Sequence, residues 1–312
     1  MIAYTIRRLL WSVFSLALVV VLIFVVMRAA PGDPTLVILG DYATPEAREA
    51  LRVKLGLNDP LYLQFLAYLR KLVTLDFGNS LIREVPIRDI IVVNYPHTLA
   101  LTLASMAIAS CCGILAGILA SRYVNTGVDY CIRALSAIAP SMPAFYMGIL
   151  LILLFGIWIP LFPSYGGGDH GNIGSVLYHL VLPASSLGLV VTGFIARIVR
   201  SSMLDVASHD FVVVARAKGL PEYHVRYYIF RNSIIPVITI IGLYTGTLLG
   251  GAVLTESVYG RPGLGRALVT AVLGMDYPTV EILLALFAVL VILLNLLVDL
   301  TYAWFDPRIS YH

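Results

Sequence analysis

Charge is scarce in this sequence. Only 12% of its residues are Asp, Glu, Lys or Arg, about half the share found in soluble domains. Hydrophobic residues make up 59% of the 312. A soluble core of this size cannot hide that much apolar surface, so a bilayer is the solvent the composition fits. The net charge of +3 implies no nucleic-acid partner. Cysteine is sparse too. Cys111 and Cys112 are adjacent in an apolar run and Cys131 stands apart; an adjacent pair rarely makes a structural disulfide, and these spacings match no zinc pattern. They read as small buried residues. Gly-Lys-Ser/Thr is absent, so the chain has no phosphate-cradling loop and is not itself an ATPase. No nucleophile elbow or paired catalytic set is visible either.

Long apolar runs are what the chain has instead. A span needs about 20 mainly apolar residues. Six segments qualify or nearly do: Leu9–Met27, Thr98–Ala120, Ala134–Trp158, Leu180–Ala196, Ser233–Thr255 and Ile282–Val298, the last extended through Phe305. The fourth is short and begins around Pro183. Gly and Pro within these runs are compatible with membrane helices. The first run follows Arg7 and Arg8 as a signal peptide would, but it is too long for one and lacks a small-x-small cleavage site. It reads as an uncleaved first span. The expected fold is therefore an all-α integral membrane protein of six helices.

Orientation comes from the loops. Arg7 and Arg8 precede span one, and Arg122 and Arg133 lie between spans two and three. Arg197, Arg200, Arg216, Lys218, Arg226 and Arg231 lie between spans four and five. The connection between spans three and four, "PSYGGGDHGNIGS", has no Lys or Arg. The positive-inside rule then places both termini in the cytoplasm. The chain divides into 1–28, the first span and its cytoplasmic end; 29–97, an extracytoplasmic loop; and 98–312, a five-helix core. In the outer loop, Thr44, Pro45 and Glu46 form a helix start and Gly56 a stop. Leu61, Phe65, Tyr68, Leu69 and Leu72 follow at helical spacing.

The stretch 208–236 is charged and amphipathic. Ser208 or Asp210 can cap a helix through "FVVVARAK", and Gly219 suits the left-handed residue after a helix end. Pro221 and Glu222 fit the first turn of a second helix. The reading is helix, tight turn, helix on the cytoplasmic side: a docking element for a cytoplasmic partner.

"ARAKGL" followed by "RNSIIPVIT" resembles the cytoplasmic loop of ABC-importer permeases of the dipeptide, oligopeptide, nickel and glutathione group. The resemblance covers nearly the whole chain. It takes in "YTIRRLL", "PGDP" at 31–34, "LGLNDPLYLQFLAYL" at 55–69, "DFGNSL" at 76–81 and "RSSMLDV" at 200–206. It continues through "RPGLGR" at 261–266, "DYP" at 276–278, "NLLVDLTYA" at 295–303 and "DPRI" at 306–309. It implies a type I importer permease in a bacterial or archaeal inner membrane. It also implies that the loop 200–232 holds a coupling helix seated on an ATPase subunit. Ala215, Arg216, Ala217, Lys218, Gly219, Leu220, Pro221, Glu222 and Tyr223 match that element, although the family's Glu-Ala-Ala is "VVA" at 213–215 here. The implied partners are a second homologous permease subunit, one or two kinds of ATP-binding subunit carrying the ATP and Mg, an extracytoplasmic binding protein and membrane lipid. This chain binds no cofactor in that reading. The binding protein would dock on 29–97 and 256–281.

Polar residues within spans are candidates for a solute path. Ser136, Ser141, Thr245, Thr247 and Glu256 could face a central cavity or serve helix packing. Asn295 and Asp299 share one helix face and suit an interhelical bond or interface pairing as well as substrate contact. Asp169, His170 and His179 could meet a nickel ion, but nothing fixes their geometry; surface histidines are the plainer reading. "RPGLGR" follows no strand, so it reads as a turn on a re-entrant segment and not as a phosphate loop. Two other readings stand beside the importer: a stand-alone channel or secondary transporter, and an intramembrane hydrolase.

Overall fold

The computed structural model describes residues 2–29, 35, 39–40, 43–54, 56–169 and 171–305. The motifs at 31–34 and 306–309, and His170, lie outside them. The helices are α1 (Ile2–Ala29), α2 (Pro45–Lys54), α3 (Leu61–Thr74), α4 (Ile87–Arg122), α5 (Gly127–Ser141), α6 (Ala144–Ile152, continued by a π-helical segment Leu153–Trp158), α7 (Ile173–Ala207), α8 (Asp210–Ala217), α9 (Glu222–Val258), α10 (Leu264–Leu273) and α11 (Tyr277–Phe305). Among the described residues no strand forms; a lone bridge pairs Asn79 with Pro86. Helices α1, α4, α7, α9 and α11 are each long and apolar enough to cross a membrane. The pair α5 and α6 makes a sixth span if counted as one.

Two expectations about the spans change. The third span is not one rod from Ala134 to Trp158. It bends by 108° between α5 and α6, at Met142 and Pro143, where Pro143 removes a helix hydrogen-bond donor and pushes its predecessor into extended backbone (ψ 136°). The fourth span does not begin at Pro183. Pro183 lies inside α7, and the polar turn capped by the Asn172 side chain on the Ser175 N–H starts the helix earlier. The second docking helix continues into the fifth span: α9 runs unbroken from Glu222 to Val258. The cysteines also differ from expectation: all three are exposed. The outer surface of a membrane bundle is apolar as well, so a small apolar side chain has no need of the interior.

The core is the seam of α4 and α7, which run parallel. Close approach is set by small residues. A Cβ on Gly113 would stand 2.7 Å from the Ile195 side chain, and one on Gly117 would stand 2.5 Å from that of Val199. Leu101, Leu187, Ile195 and Val199 are buried along this seam, and Val237 and Leu248 of α9 close it.

The outer elements are tied down by specific contacts. The Thr44 hydroxyl accepts from the Ala47 N–H at 3.2 Å, capping α2 as expected. Helix α3 buries Tyr68 against Phe24 of α1 and Ile282 of α11. Burial first, then the Glu281 carboxylate, pushes the Tyr68 hydroxyl above its ordinary pKa. Arg28 of α1 pairs with Glu281 of α11 at 2.5 Å and donates to Gln64 of α3 at 2.7 Å. At the start of α11, Asp276 accepts from the Ser80 hydroxyl at 2.5 Å and the Thr279 hydroxyl at 2.7 Å. At the other end of the bundle, Arg8 of α1 pairs with Asp299 of α11 at 2.8 Å. These two pairs make α1 and α11 antiparallel. Helix α1 therefore begins, and α11 ends, at the end of the bundle that carries α8.

Candidate functional site: the α8 turn and its supports

Helix α8 is only eight residues long, too short to hold itself in water. Its anchor is Val212, fully buried among Val206, Val225 and Ile229. Its end is fixed by backbone bonds. The Gly219 N–H donates to Arg216 O at 2.9 Å, and the Leu220 N–H donates to Ala215 O at 3.3 Å. This pair is the Schellman arrangement, and it needs a left-handed residue after the cap. Gly219 supplies it with φ +76°. Pro221 then sits at the N-cap of α9, one place before the first-turn position expected. Neither Ser208 nor Asp210 is the cap of α8: His209 holds that place without a side-chain bond. The Ser208 hydroxyl instead donates to Asp205 O.

Glu222 bridges the turn. Arg216 reaches it at 3.2 Å and Arg226 at 3.5 Å, an exposed triad that orients more than it stabilises. Ala215 is half-buried, whereas Arg216, Ala217, Lys218, Gly219, Leu220, Pro221, Glu222 and Tyr223 are exposed. With Val213, Val214 and Tyr227, also exposed, they form an apolar knuckle edged by positive charge.

A second contact fixes the same end of the bundle. Arg200 of α7 donates twice to Asp129 of α5, both bonds at 2.7 Å. Asp129 is fully buried and also accepts from the Asn125 N–H at 3.0 Å. A fork-to-fork pair of this kind is strong and directional. It locks the α4–α5 turn to the helix that leads into α8. Nothing in the spacing pointed to Asp129, whose partner lies 71 residues away; the available signal was an acid in the first turn of a helix.

The candidate path residues are not gathered into one chamber. Ser136 is buried and borders a cavity between α5 and α7. Ser141 is exposed and donates to Ala137 O. Thr245 is half-buried and donates to Ile241 O, and Thr247 is exposed. Asn295 is exposed beside Gly246, and Asp299 holds Arg8. Glu256 is fully buried as a structural cap. Its carboxylate accepts from the Thr98 hydroxyl at 2.6 Å and from the Gly265 and Arg266 N–H groups at 2.8 and 3.1 Å. These are first-turn donors of α10, where a negative charge is favourable. The glycines of "RPGLGR" now have a reason: a Cβ on Gly263 would lie 2.1 Å from the Glu256 carboxyl carbon. Arg261 beside them is fully buried, and burial holds its guanidinium below its ordinary pKa against the pull of Glu256. No three His, Cys, Asp or Glu side chains converge as a metal site among the described residues. His179 holds Ser175 O at 2.8 Å.

The described residues thus form a multi-span helical bundle with an exposed apolar turn fixed at one end. The chain belongs to the family described as "Binding-protein-dependent transport system inner membrane component", which matches residues 113–311. The family's N-terminal region matches residues 1–102. It is 38% identical over 316 residues to the oligopeptide transport system permease protein AppB of Bacillus subtilis (strain 168), with 100% of both chains covered. It is 39% identical over 312 residues to the glutathione transport system permease protein GsiC of Escherichia coli (strain K12), again with full coverage of both. Among solved structures, an inward-facing MetNI methionine ABC transporter chain shares the fold at TM-score 0.57 and 20% identity, covering 70% of this chain and 96% of that one. An amino acid ABC transporter crystallised with histidines does so at TM-score 0.54 and 16% identity, covering 70% and 94%. The protein is thus a permease subunit of an ABC importer, a transport component and not an enzyme, and family membership implies ATPase and permease subunits as partners.

Proposed function

We propose that this chain and a second homologous permease subunit form the path of an importer for peptides or a related solute such as glutathione. The relatives named for oligopeptide and glutathione transport support that cargo; their names favour it over a nickel chelate. The α8 knuckle is the seat for an ATP-binding subunit. The observation that carries this is an exposed apolar surface made by Val213 and Val214 of α8, Leu220 of the turn and Tyr223 at the start of α9, with the other side of α8 pinned by Val212. A surface of that kind is costly in water unless a partner covers it.

The mechanism follows from the mounting. ATP and Mg on the partner subunits drive their closure, and closure displaces α8. Helices α7 and α9 leave the knuckle as stiff rods, so displacement at α8 swings both. The path then opens alternately to each side, a shift between two states that the nucleotide binds differently. The short connections at the α8 end carry Arg122, Arg133, Arg216, Lys218 and Arg226, whereas the one between α6 and α7 carries no Lys or Arg, and on that contrast the positive-inside rule puts the α8 end in the cytoplasm. An extracytoplasmic binding protein docks at the opposite end, on 29–97 and 256–281, in a bacterial inner membrane.

The test is reconstitution with the cognate ATPase, permease and binding-protein subunits in liposomes. Uptake of a radiolabelled tripeptide that requires ATP and stops with vanadate is the expected result. Equal uptake by liposomes holding this chain alone would overturn the reading in favour of a self-sufficient channel or carrier.

A further inference from the structure

At the α8 end, α5 and α7 part to leave an open cavity of about 600 Å³. That volume is within the range of sites for small molecules. Its wall carries Tyr130, Arg133 and Ser136 from α5, and Arg197, Arg200 and Ser201 from α7. Arg197, Arg200 and Ser201 are three and four residues apart, so they share one face of α7. Three guanidinium groups therefore meet three hydroxyls in one space.

The charges do not cancel. Asp129 is spent on Arg200 through both of its oxygens. Arg133 and Arg197 make no ion pair with a carboxylate among the described residues, although Arg133 is near enough to Asp129 to feel its charge. Arg133 lies over the Tyr130 ring at 5.7 Å, and Arg197 lies over the Phe194 ring at 5.3 Å. Both arginines stand at the edge of an apolar run, Arg133 just before Ala134 on α5 and Arg197 just after Ala196 on α7. At the edge of a span an arginine turns its head group to a wetted or paired surface. Its planar fork matches an oxyanion in two-point contact.

We propose that this cavity is an oxyanion-binding station on the transport path, where Arg133 and Arg197 take the carboxylate of the cargo while Arg200, fixed by Asp129, supplies the back wall. The inference rests on the import of a peptide-like cargo. A lipid headgroup phosphate offers the same chemistry, so the experiment separates the two sources.

The complete transporter is placed in nanodiscs of neutral phosphatidylcholine and treated with phenylglyoxal, which modifies accessible arginines. Modification of Arg133 and Arg197 is followed by mass spectrometry with trialanine, with its C-terminal amide, or with neither. Trialanine is expected to slow modification of both residues several-fold and the amide to have no effect. Equal protection by the amide, or none by either, overturns the proposal. Protection that needs phosphatidylglycerol and no peptide also overturns it, since the ligand is then a headgroup. In liposomes of the same neutral lipid, an R133Q/R197Q transporter is expected to import trialanine about tenfold more slowly, the order expected for a lost charge-assisted hydrogen bond, with import of the amide unchanged. A wild-type transporter that imports neither peptide, yet shows carboxylate-dependent protection, refutes the import reading and leaves this site standing.

Discussion

Replacing Gly219 with valine strains the α8 turn without crowding it. Gly219 has φ +76°, and a Cβ placed there meets no atom within 4 Å. The cost is therefore a backbone cost alone. A left-handed conformation costs an L-residue about 1–2 kcal/mol, and a β-branched side chain falls at the upper end. The chain escapes that strain by opening the Gly219–Arg216 and Leu220–Ala215 bonds that end α8. A penalty of this size shifts a local equilibrium by about 5- to 30-fold. It does not dismantle a bundle whose core lies on α4 and α7. G219V in the reconstituted transporter is expected to lower ATP-driven uptake by that factor, with subunit co-purification intact and ATP hydrolysis less tightly linked to uptake. G219A is expected to fall between. Gly250, a helical glycine on α9 with equally open space, is the control: G250A leaves uptake unchanged because its backbone is already helical. Wild-type uptake by G219V would refute the reasoning that the turn's geometry transmits the motion.

Three further outcomes are expected. D129N leaves Arg200 without its charge partner and costs about 3 kcal/mol, read as a lowered melting temperature in detergent; adding R200Q restores part of the loss, and additive effects would mean no coupling. E256Q removes the negative charge from the start of α10 and, with its oxygen kept on the Gly265 and Arg266 N–H groups, sets an NH2 against the Thr98 hydroxyl that donates there in the wild type, costing about 2 kcal/mol; a melting temperature equal to wild type would contradict the capping role. G117A pushes a Cβ to 2.5 Å from Val199 and 2.7 Å from Ala196 O, and overpacking at that seam costs about 1–3 kcal/mol, checked by thermal unfolding.

Hydropathy placed the spans because lipid demands apolar length, and Thr44 and Gly219 were legible because caps are local chemistry. The 108° bend between α5 and α6 was hidden, since Pro residues in membrane helices kink, break or do neither according to their neighbours. Glu256 stood out as an intramembrane acid, but its carboxylate is held in place by Thr98, 158 residues away in sequence, as well as by the α10 N–H groups it caps. Asp129 was invisible for the same reason. The cysteines were misplaced because burial habits drawn from soluble proteins fail where both faces of a helix are apolar. The α8 knuckle was the best-read feature, because its turn signals and its charge are contiguous in sequence.

The central claim is that α8 seats an ATP-binding subunit. It is tested by cross-linking from Val213→Cys, on the exposed face of α8, in a background where Cys111, Cys112 and Cys131 are serine. A bifunctional thiol reagent is expected to join this residue to the ATPase subunit of the assembled transporter, with a yield that changes when vanadate traps the nucleotide. The matching cysteine at Leu273, exposed on α10 at the opposite end, is expected to give none. No cross-link from Val213→Cys, or an equal one from Leu273→Cys, would contradict the account.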